Sequence, residues 1–364
     1  VLVVDDSAVQ RAALIALLES DPALEVAGWA ADGAEALPAI ARLRPDVVTM
    51  DLHMPRMNGV EATRRIMQEL PTPIVMVTAS ATGDDARTAF DALQAGVLAI
   101  VQKPAAVLAG PGAGDREAPR DARELVRTVK SMAQVKVLRR WAPERLQPAG
   151  GPPAAAPQRP ASGAALRPVR APEIVVVGAS TGGPQALGVL LSLLPASFPL
   201  PVLVVQHIAV GFVAGMVGWL TSCCALPVHL AATGRPAGTA GIVVAPTGQH
   251  LTVRNRTLWL TDEPPVGGHR PSATALFQSA AREYGAAAVG VLLSGMGDDG
   301  AAGLRDLKRA GAVTVAQDEA SSVVFGMPAA AIQLGIVDHV LPPAAIAAML
   351  VQLAARAETA GARV

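Results

Sequence analysis

The sequence predicts an α/β protein built from two doubly wound parallel-sheet domains. Short apolar runs alternate with segments of helical periodicity along both halves of the 364-residue chain. A stretch rich in Pro, Ala, Gly and Arg separates the halves. Apolar residues make up 51% of the composition and charged residues 16%, so each half can bury a core of its own.

In the first half, Val1–Val4, Leu24–Ala30, Asp46–Met50, Ile74–Thr78 and Val97–Val101 read as strands. Ala8–Glu19 and Gly59–Leu70 carry apolar residues at helical spacing, as in Leu14, Leu17 and Leu18. Strands that alternate with helices imply a parallel sheet covered on both faces. Glu124–Trp141 reads as the last helix, with Leu125, Val129, Met132, Val135 and Leu138 on one side. The first domain is therefore expected over 1–140. From 141 to 172 the chain holds almost no large apolar residue. Such a segment buries too little surface to offset its ordering entropy, and a linker is expected.

The second domain is expected over 173–358. Ile174–Val177, Val202–Gln206, Gly241–Ala245, Ala288–Ser294 and Val313–Ala316 read as strands. Pro184–Leu194, Ser272–Tyr284, Gly300–Ala310 and Ala344–Ala357 read as helices, and Leu251–Thr261 as a hairpin turning at Asn255. Ile208–Leu220 is wholly apolar, with Gly211 and Gly215 at GxxxG spacing, but a membrane span needs about 18 apolar residues. A buried helix is expected there, with no membrane insertion.

Composition narrows the function. The chain carries 30 basic and 30 acidic side chains with no basic stripe, which argues against a nucleic-acid partner. Its only cysteines, Cys223 and Cys224, are adjacent, so no disulfide framework is available and a reducing, cytoplasmic setting is expected. The chain opens at Val1 inside its first strand, and residues are expected to precede it.

Asp5 and Asp6 end the first strand and Asp51 the third, at the sheet edge where doubly wound folds bind ligands. Three converging carboxylates call for a cation, and an all-oxygen set suits Mg²⁺. Thr78 closes the fourth strand and Lys103 follows the fifth, a hydroxyl and an ammonium suited to phosphoryl oxygens. These parts describe an aspartyl-phosphate site with Asp51 as nucleophile.

In the second half, Gly178-Ala179-Ser180-Thr181-Gly182-Gly183-Pro184 runs from a strand through a glycine turn into a helix. Gly178-x-Ser180-x-Gly182 has the spacing of a nucleophile elbow. A dinucleotide fingerprint fails because Ser180 stands at its second glycine, and a P-loop fails for want of lysine. His207 ends the next strand, and Gly295-Met296-Gly297-Asp298-Asp299-Gly300 follows a later one. Ser, His and Asp at neighbouring strand ends can form a triad, in a chain order different from that of α/β hydrolases. His229, His250, His269 and His339 lack this placement and are expected to be structural.

Two resemblances follow from these motifs. Val4-Asp5-Asp6-Ser7, the run Met50–Gly59, Thr78-Ala79-Ser80 and Lys103-Pro104 resemble the response-regulator receiver family, a flavodoxin-like (βα)5 fold. This resemblance implies phosphorylation of Asp51 by a histidine kinase, with Mg²⁺ held by Asp5, Asp6, Asp51 and the His53 backbone carbonyl. The second half is similar to the methylesterase domain of chemotaxis response regulators, a Rossmann-like hydrolase. The matching pieces are Gly178–Gly183, Gln206-His207, His269-Arg270-Pro271-Ser272, Gly295–Gly300 and Ala316–Pro328.

The second resemblance implies that Ser180 attacks, His207 takes its proton and Asp299 orients His207. The Thr181 and Met296 backbone N–H groups would form the oxyanion hole. The implied reaction is hydrolysis of glutamate γ-methyl esters on chemoreceptor helices, with deamidation of receptor glutamines, and no cofactor for the hydrolysis itself. Ile100 stands where receivers carry an aromatic residue, and Ile208-Ala209-Val210 replaces a proline-bearing stretch. These departures keep a non-catalytic adaptor, binding receptor or kinase, open as the alternative.

Overall fold

A computed structural model describes residues 1–79, 83–105, 107, 120–135 and 170–361. Its first sheet is parallel in the order β2-β1-β3-β4-β5, formed by β1 (Leu2–Val4), β2 (Gly28–Ala30), β3 (Val48–Met50), β4 (Ile74–Thr78) and β5 (Ala99–Gln102). Between these strands run α1 (Ala8–Glu19), α2 (Gly33–Leu43), α3 (Gly59–Glu69) and α4 (Gly83–Ala95), and α5 (Arg120–Met132) follows. Ser7, Asp32 and Asn58 cap the first three helices through their side-chain oxygens. Asp5, Asp6 and Asp51 are thus spared from capping.

The strand expected over Leu24–Ala30 is shorter. Leu24 N–H donates to Asp21 O in a turn, and pairing with β1 begins only at Gly28. The last helix ends at Met132, and Trp141 together with residues 141–169 of the expected linker lies outside the described residues.

The second sheet has seven parallel strands in the order β14-β13-β12-β6-β7-β9-β8. These are β6 (Ile174–Ala179), β7 (Pro201–Gln206), β8 (Val228–Leu230), β9 (Gly241–Val244), β12 (Ala288–Leu292), β13 (Val313–Gln317) and β14 (His339–Leu341). The helices are α6 (Gly183–Ser192), α7 (Phe212–Cys223), α8 (Ala273–Tyr284), α9 (Ala301–Arg309), α10 (Met327–Gln333) and α11 (Pro343–Gly361). A separate antiparallel hairpin pairs β10 (His250–Arg254) with β11 (Thr257–Thr261). Asn255 and Arg256 hold φ of 50° and 57° at its tip, the left-handed pair that a tight hairpin turn demands. The apolar run at Ile208–Leu220 enters α7 behind Gly211, whose φ of 93° turns the chain into the helix. Among the described residues no helix is long and apolar enough to cross a membrane.

One face of each sheet contributes to a shared apolar core, and each sheet has a second core on its other face. Buried residues of β1, β3, β4 and α4 are continuous with those of β6, β7, α6 and α7. The junction is α4 against α7, where Phe90 stacks on Trp219 with centroids 5.8 Å apart. Trp219 lies so close to Gly188 of α6 that a Cβ there would stand 2.6 Å from its ring. Gln185 Nε2, also on α6, donates to Val97 O at 2.7 Å and to Leu98 O at 3.3 Å across the junction.

Candidate active site

β6 is the central strand of the second sheet, flanked by β12 and β7, so the loops after these three strands meet at one rim. Ser180 follows β6, His207 follows β7 and Asp299 lies in the loop between β12 and α9. Close packing explains the glycines here. A Cβ on Gly295 would lie 2.7 Å from Ser180 Cβ, and one on Gly183 would lie 2.1 Å from Gln206 Oε1. Gly182, at φ 76°, opens α6 in a conformation that other residues adopt poorly.

His207 Nε2 lies 2.9 Å from Asp299 Oδ2. A carboxylate only accepts, so Nε2 carries the proton and Nδ1 is left as an acceptor. Nδ1 is buried and has no hydrogen-bond partner among the described residues. Ser180 N–H donates to Ser294 O at 3.0 Å. Ser180 Oγ has no partner among the described residues. Gln206 Nε2 binds the carbonyls of Ser180 at 2.7 Å and His207 at 2.8 Å, tying nucleophile and base to one side chain.

Asp299 is buried at the N-terminus of α8. It accepts from Ser272 Oγ at 2.7 Å, Ala273 N–H at 2.7 Å and Thr274 N–H at 3.1 Å. Burial alone would raise its pKa. The hydrogen bond and charge of His207, with the bonds from Ser272 and Thr274, outweigh burial and hold the carboxyl well below the ordinary carboxylate range. Asp298, its neighbour, is exposed. Neither the Thr181 nor the Met296 amide has an acceptor among the described residues.

Gln206, Ser272 and His269 were not predicted as site residues. Gln206 could have been found as the one polar side chain ending an apolar strand, and Ser272 as the cap of α8. His269, expected to be structural, stacks on His207 with ring centroids 4.0 Å apart and planes within 1°. His250 is buried: Ser272 N–H donates to its Nδ1 at 3.2 Å, and its Nε2 faces Pro264 O at 3.2 Å.

The rim opens into a cavity of about 630 Å³ that the first domain roofs with β5 and α5. Ile100, Arg123 and Arg127 face Ser180, His207 and Met296 across it. Arg127 Nε and Ser131 Oγ both contact the Met296 sulfur, so α5 sits on the loop that carries Met296.

The acidic pocket lies at the carboxyl edge of the first sheet. Ligand atoms of Asp5, Asp6 and Asp51 lie within 4.8 Å of one another. Lys103 Nζ is 2.7 Å from Asp51 Oδ2, 2.7 Å from Gln10 Oε1 and 2.8 Å from Asp5 Oδ2. Lys103 thus forms ion pairs with both Asp5 and Asp51. Burial raises the pKa of Asp51 despite Lys103, and the two carboxylates raise that of Lys103 against its own burial. Thr78 is buried at the end of β4, and His53 is exposed in the loop after β3. Gly59 is forced by contact, since a Cβ there would lie 2.2 Å from Asp51 O. Carboxylate oxygens gathered around an open Asp5 lone pair fit a hard divalent cation such as Mg²⁺.

Comparison with known proteins adds to this geometry. Residues 1–108 match the response regulator receiver domain and residues 175–350 the CheB methylesterase family. A protein-glutamate methylesterase/protein-glutamine glutaminase of Geobacter metallireducens is 48% identical over 97% of this chain and 98% of its own length. One of Nitrosospira multiformis is 49% identical over 99% and 98%. The crystal structure of the Thermotoga maritima CheB methylesterase catalytic domain is 35% identical, covering 50% of this chain and 98% of that one at a TM-score of 0.48.

Proposed function

Because the chain belongs to the protein-glutamate methylesterase/protein-glutamine glutaminase family, we propose that Ser180, His207 and Asp299 carry its hydrolytic chemistry and that Asp51 gates it. The observation behind the triad is that Ser180 and His207 line one cavity while Nδ1 of His207, buried and without a partner among the described residues, is left to accept a proton. Ser180 Oγ attacks the glutamyl ester carbonyl and passes its proton to His207 Nδ1 while Asp299 holds Nε2–H. The Thr181 and Met296 amides receive the oxyanion, each donor worth about 10²–10³ in rate. His207 then protonates the departing methoxide, and methanol leaves. Water, activated by the same imidazole, frees the restored glutamate from Ser180. With a glutamine substrate the leaving group is ammonia.

Regulation follows from the roof on the cavity. Residues 1–140 act as the receiver, 141–172 as the linker and 173–358 as the catalytic domain. With α5 seated on Met296 and β5 lining the cavity, the first domain stands in the way of a receptor helix approaching Ser180. Asp5, Asp6, Asp51 and the His53 carbonyl would hold Mg²⁺, which offsets phosphoryl charge when bound. Thr78 and Lys103 receive the phosphoryl oxygens that Asp51 takes from a histidine kinase. Phosphorylation shifts the population towards an arrangement with the receiver lifted from the rim. Kinase, receptor signalling helices and free cysteines together suit a cytoplasmic setting.

The test is methanol release from a methyl-esterified receptor signalling fragment, with and without Mg²⁺ and a small-molecule phosphodonor. Release should vanish in Ser180→Ala and rise with the phosphodonor only when Mg²⁺ is present. Release that survives in Ser180→Ala would overturn the triad, and a phosphodonor without effect would overturn the gating.

A further inference from the structure

His269 lies outside the triad, yet it covers one face of the general base. The two imidazoles are parallel within 1° at 4.0 Å between centroids. The loop carrying His269 is held at both ends. Val266 and His269 exchange backbone hydrogen bonds of 3.1 and 3.0 Å, and buried His250 bridges Pro264 O and Ser272 N–H at 3.2 Å each. The stack is therefore held in place by backbone contacts on either side of it.

The geometry has an electrostatic consequence. Two parallel aromatic rings attract one another when stacked with an offset, a geometry that the 4.0 Å centroid distance allows. A cation above a ring face is also attracted by it. A parallel stack at 4.0 Å keeps the π face of His269 against His207 when that ring is charged, and His207, bonded to Asp299, is the ring that takes a proton during acylation.

We propose that His269 is a positioning residue, whose ring face fixes the plane of His207 and stabilises the imidazolium formed as Ser180 gives up its proton. The inference rests on the triad reading. It assigns His269 no proton transfer and no contact with the scissile ester.

The test uses the full chain and the methyl-esterified receptor fragment, comparing His269→Ala, His269→Phe and Ser180→Ala with and without Mg²⁺ and phosphodonor. His269→Ala should lose about 10–100-fold in kcat with KM unchanged within about twofold, since misplacing a catalytic group by an ångström costs on that order. The same factor should appear in basal and stimulated activity. His269→Phe, which restores a flat π face without ring nitrogens, should recover most of the loss. Wild-type kcat in His269→Ala, a loss confined to KM or to the stimulated state, or a Phe variant as impaired as Ala would each overturn the proposal. Turnover surviving in Ser180→Ala would instead sink the triad reading on which it depends.

Discussion

Replacing Gln185 by Ala should loosen the receiver without touching the chemistry. Gln185 Nε2 crosses the domain junction to Val97 O at 2.7 Å and Leu98 O at 3.3 Å. A sound neutral hydrogen bond contributes about 1 kcal/mol net, and the longer one about half of that. Gln185 Oε1 is buried without a partner, a cost that Ala removes, so the loss falls at the lower end. A net change of about 0.7–1.4 kcal/mol shifts the closed-to-open ratio about 3–10-fold. When the closed form dominates, basal methanol release follows the open fraction and should rise by that factor. The plateau reached with Mg²⁺ and phosphodonor should stay at the wild-type value, so the stimulation ratio shrinks correspondingly. An unchanged basal rate would refute the junction as a gate. An equal fall in basal and stimulated rates would place Gln185 in catalysis instead.

Two further outcomes follow from the charged pockets. Asp299→Asn keeps the shape but gives His207 the wrong partner and should reduce kcat ~10³–10⁴-fold, the scale seen for such a change in a serine-protease triad. Because the folded-state pKa of Asp299 is lowered, its stabilisation is present above the unfolded value and is lost as pH falls through the folded one. The stability gap between wild type and Asp299→Asn, measured by urea unfolding, should therefore be full at pH 7 and narrow only below about pH 4. Asp51 has the opposite sign: its pKa is raised by burial, so its contribution is favourable below the unfolded value and is lost as pH rises through the folded one. Asp51→Asn, with Asp5 still beside Lys103, should raise the receiver's melting temperature at pH 7 by a few degrees while abolishing phosphodonor stimulation; a lower melting temperature would contradict the burial argument.

Much of the fold was legible because its signals are local. Val175–Val177 and Val202–Val205 are long enough in β-branched residues to declare buried parallel strands, and the Asn255 turn declares its hairpin. Strands β8 and β14 were not legible. They are edge strands, Val228–Leu230 and His339–Leu341, at opposite ends of the sheet, and unlike the equally short but fully buried β1 and β3 they carry exposed and polar residues, so no apolar run marks them. The strand expected from Leu24 was overextended for a related reason, since apolar residues in a turn against Asp21 look like strand residues until their hydrogen bonds are known.

The sequence by itself determined which chemistry-bearing side chains stand at strand ends, because a parallel α/β sheet sends every such loop to one edge. Ser180, His207 and the acidic pair Asp298-Asp299 were thereby placed on one edge, and the choice of Asp299 came from the family resemblance. Only the tertiary structure decided how they are used. It set Nε2 of His207 on Asp299, laid His269 across the imidazole, and brought Phe90 onto Trp219 and α5 onto Met296. These contacts join residues far apart in the chain through packing of the two sheets against each other. No local spacing encodes them, since the free energy that selects them comes from surfaces that meet only after both sheets have formed.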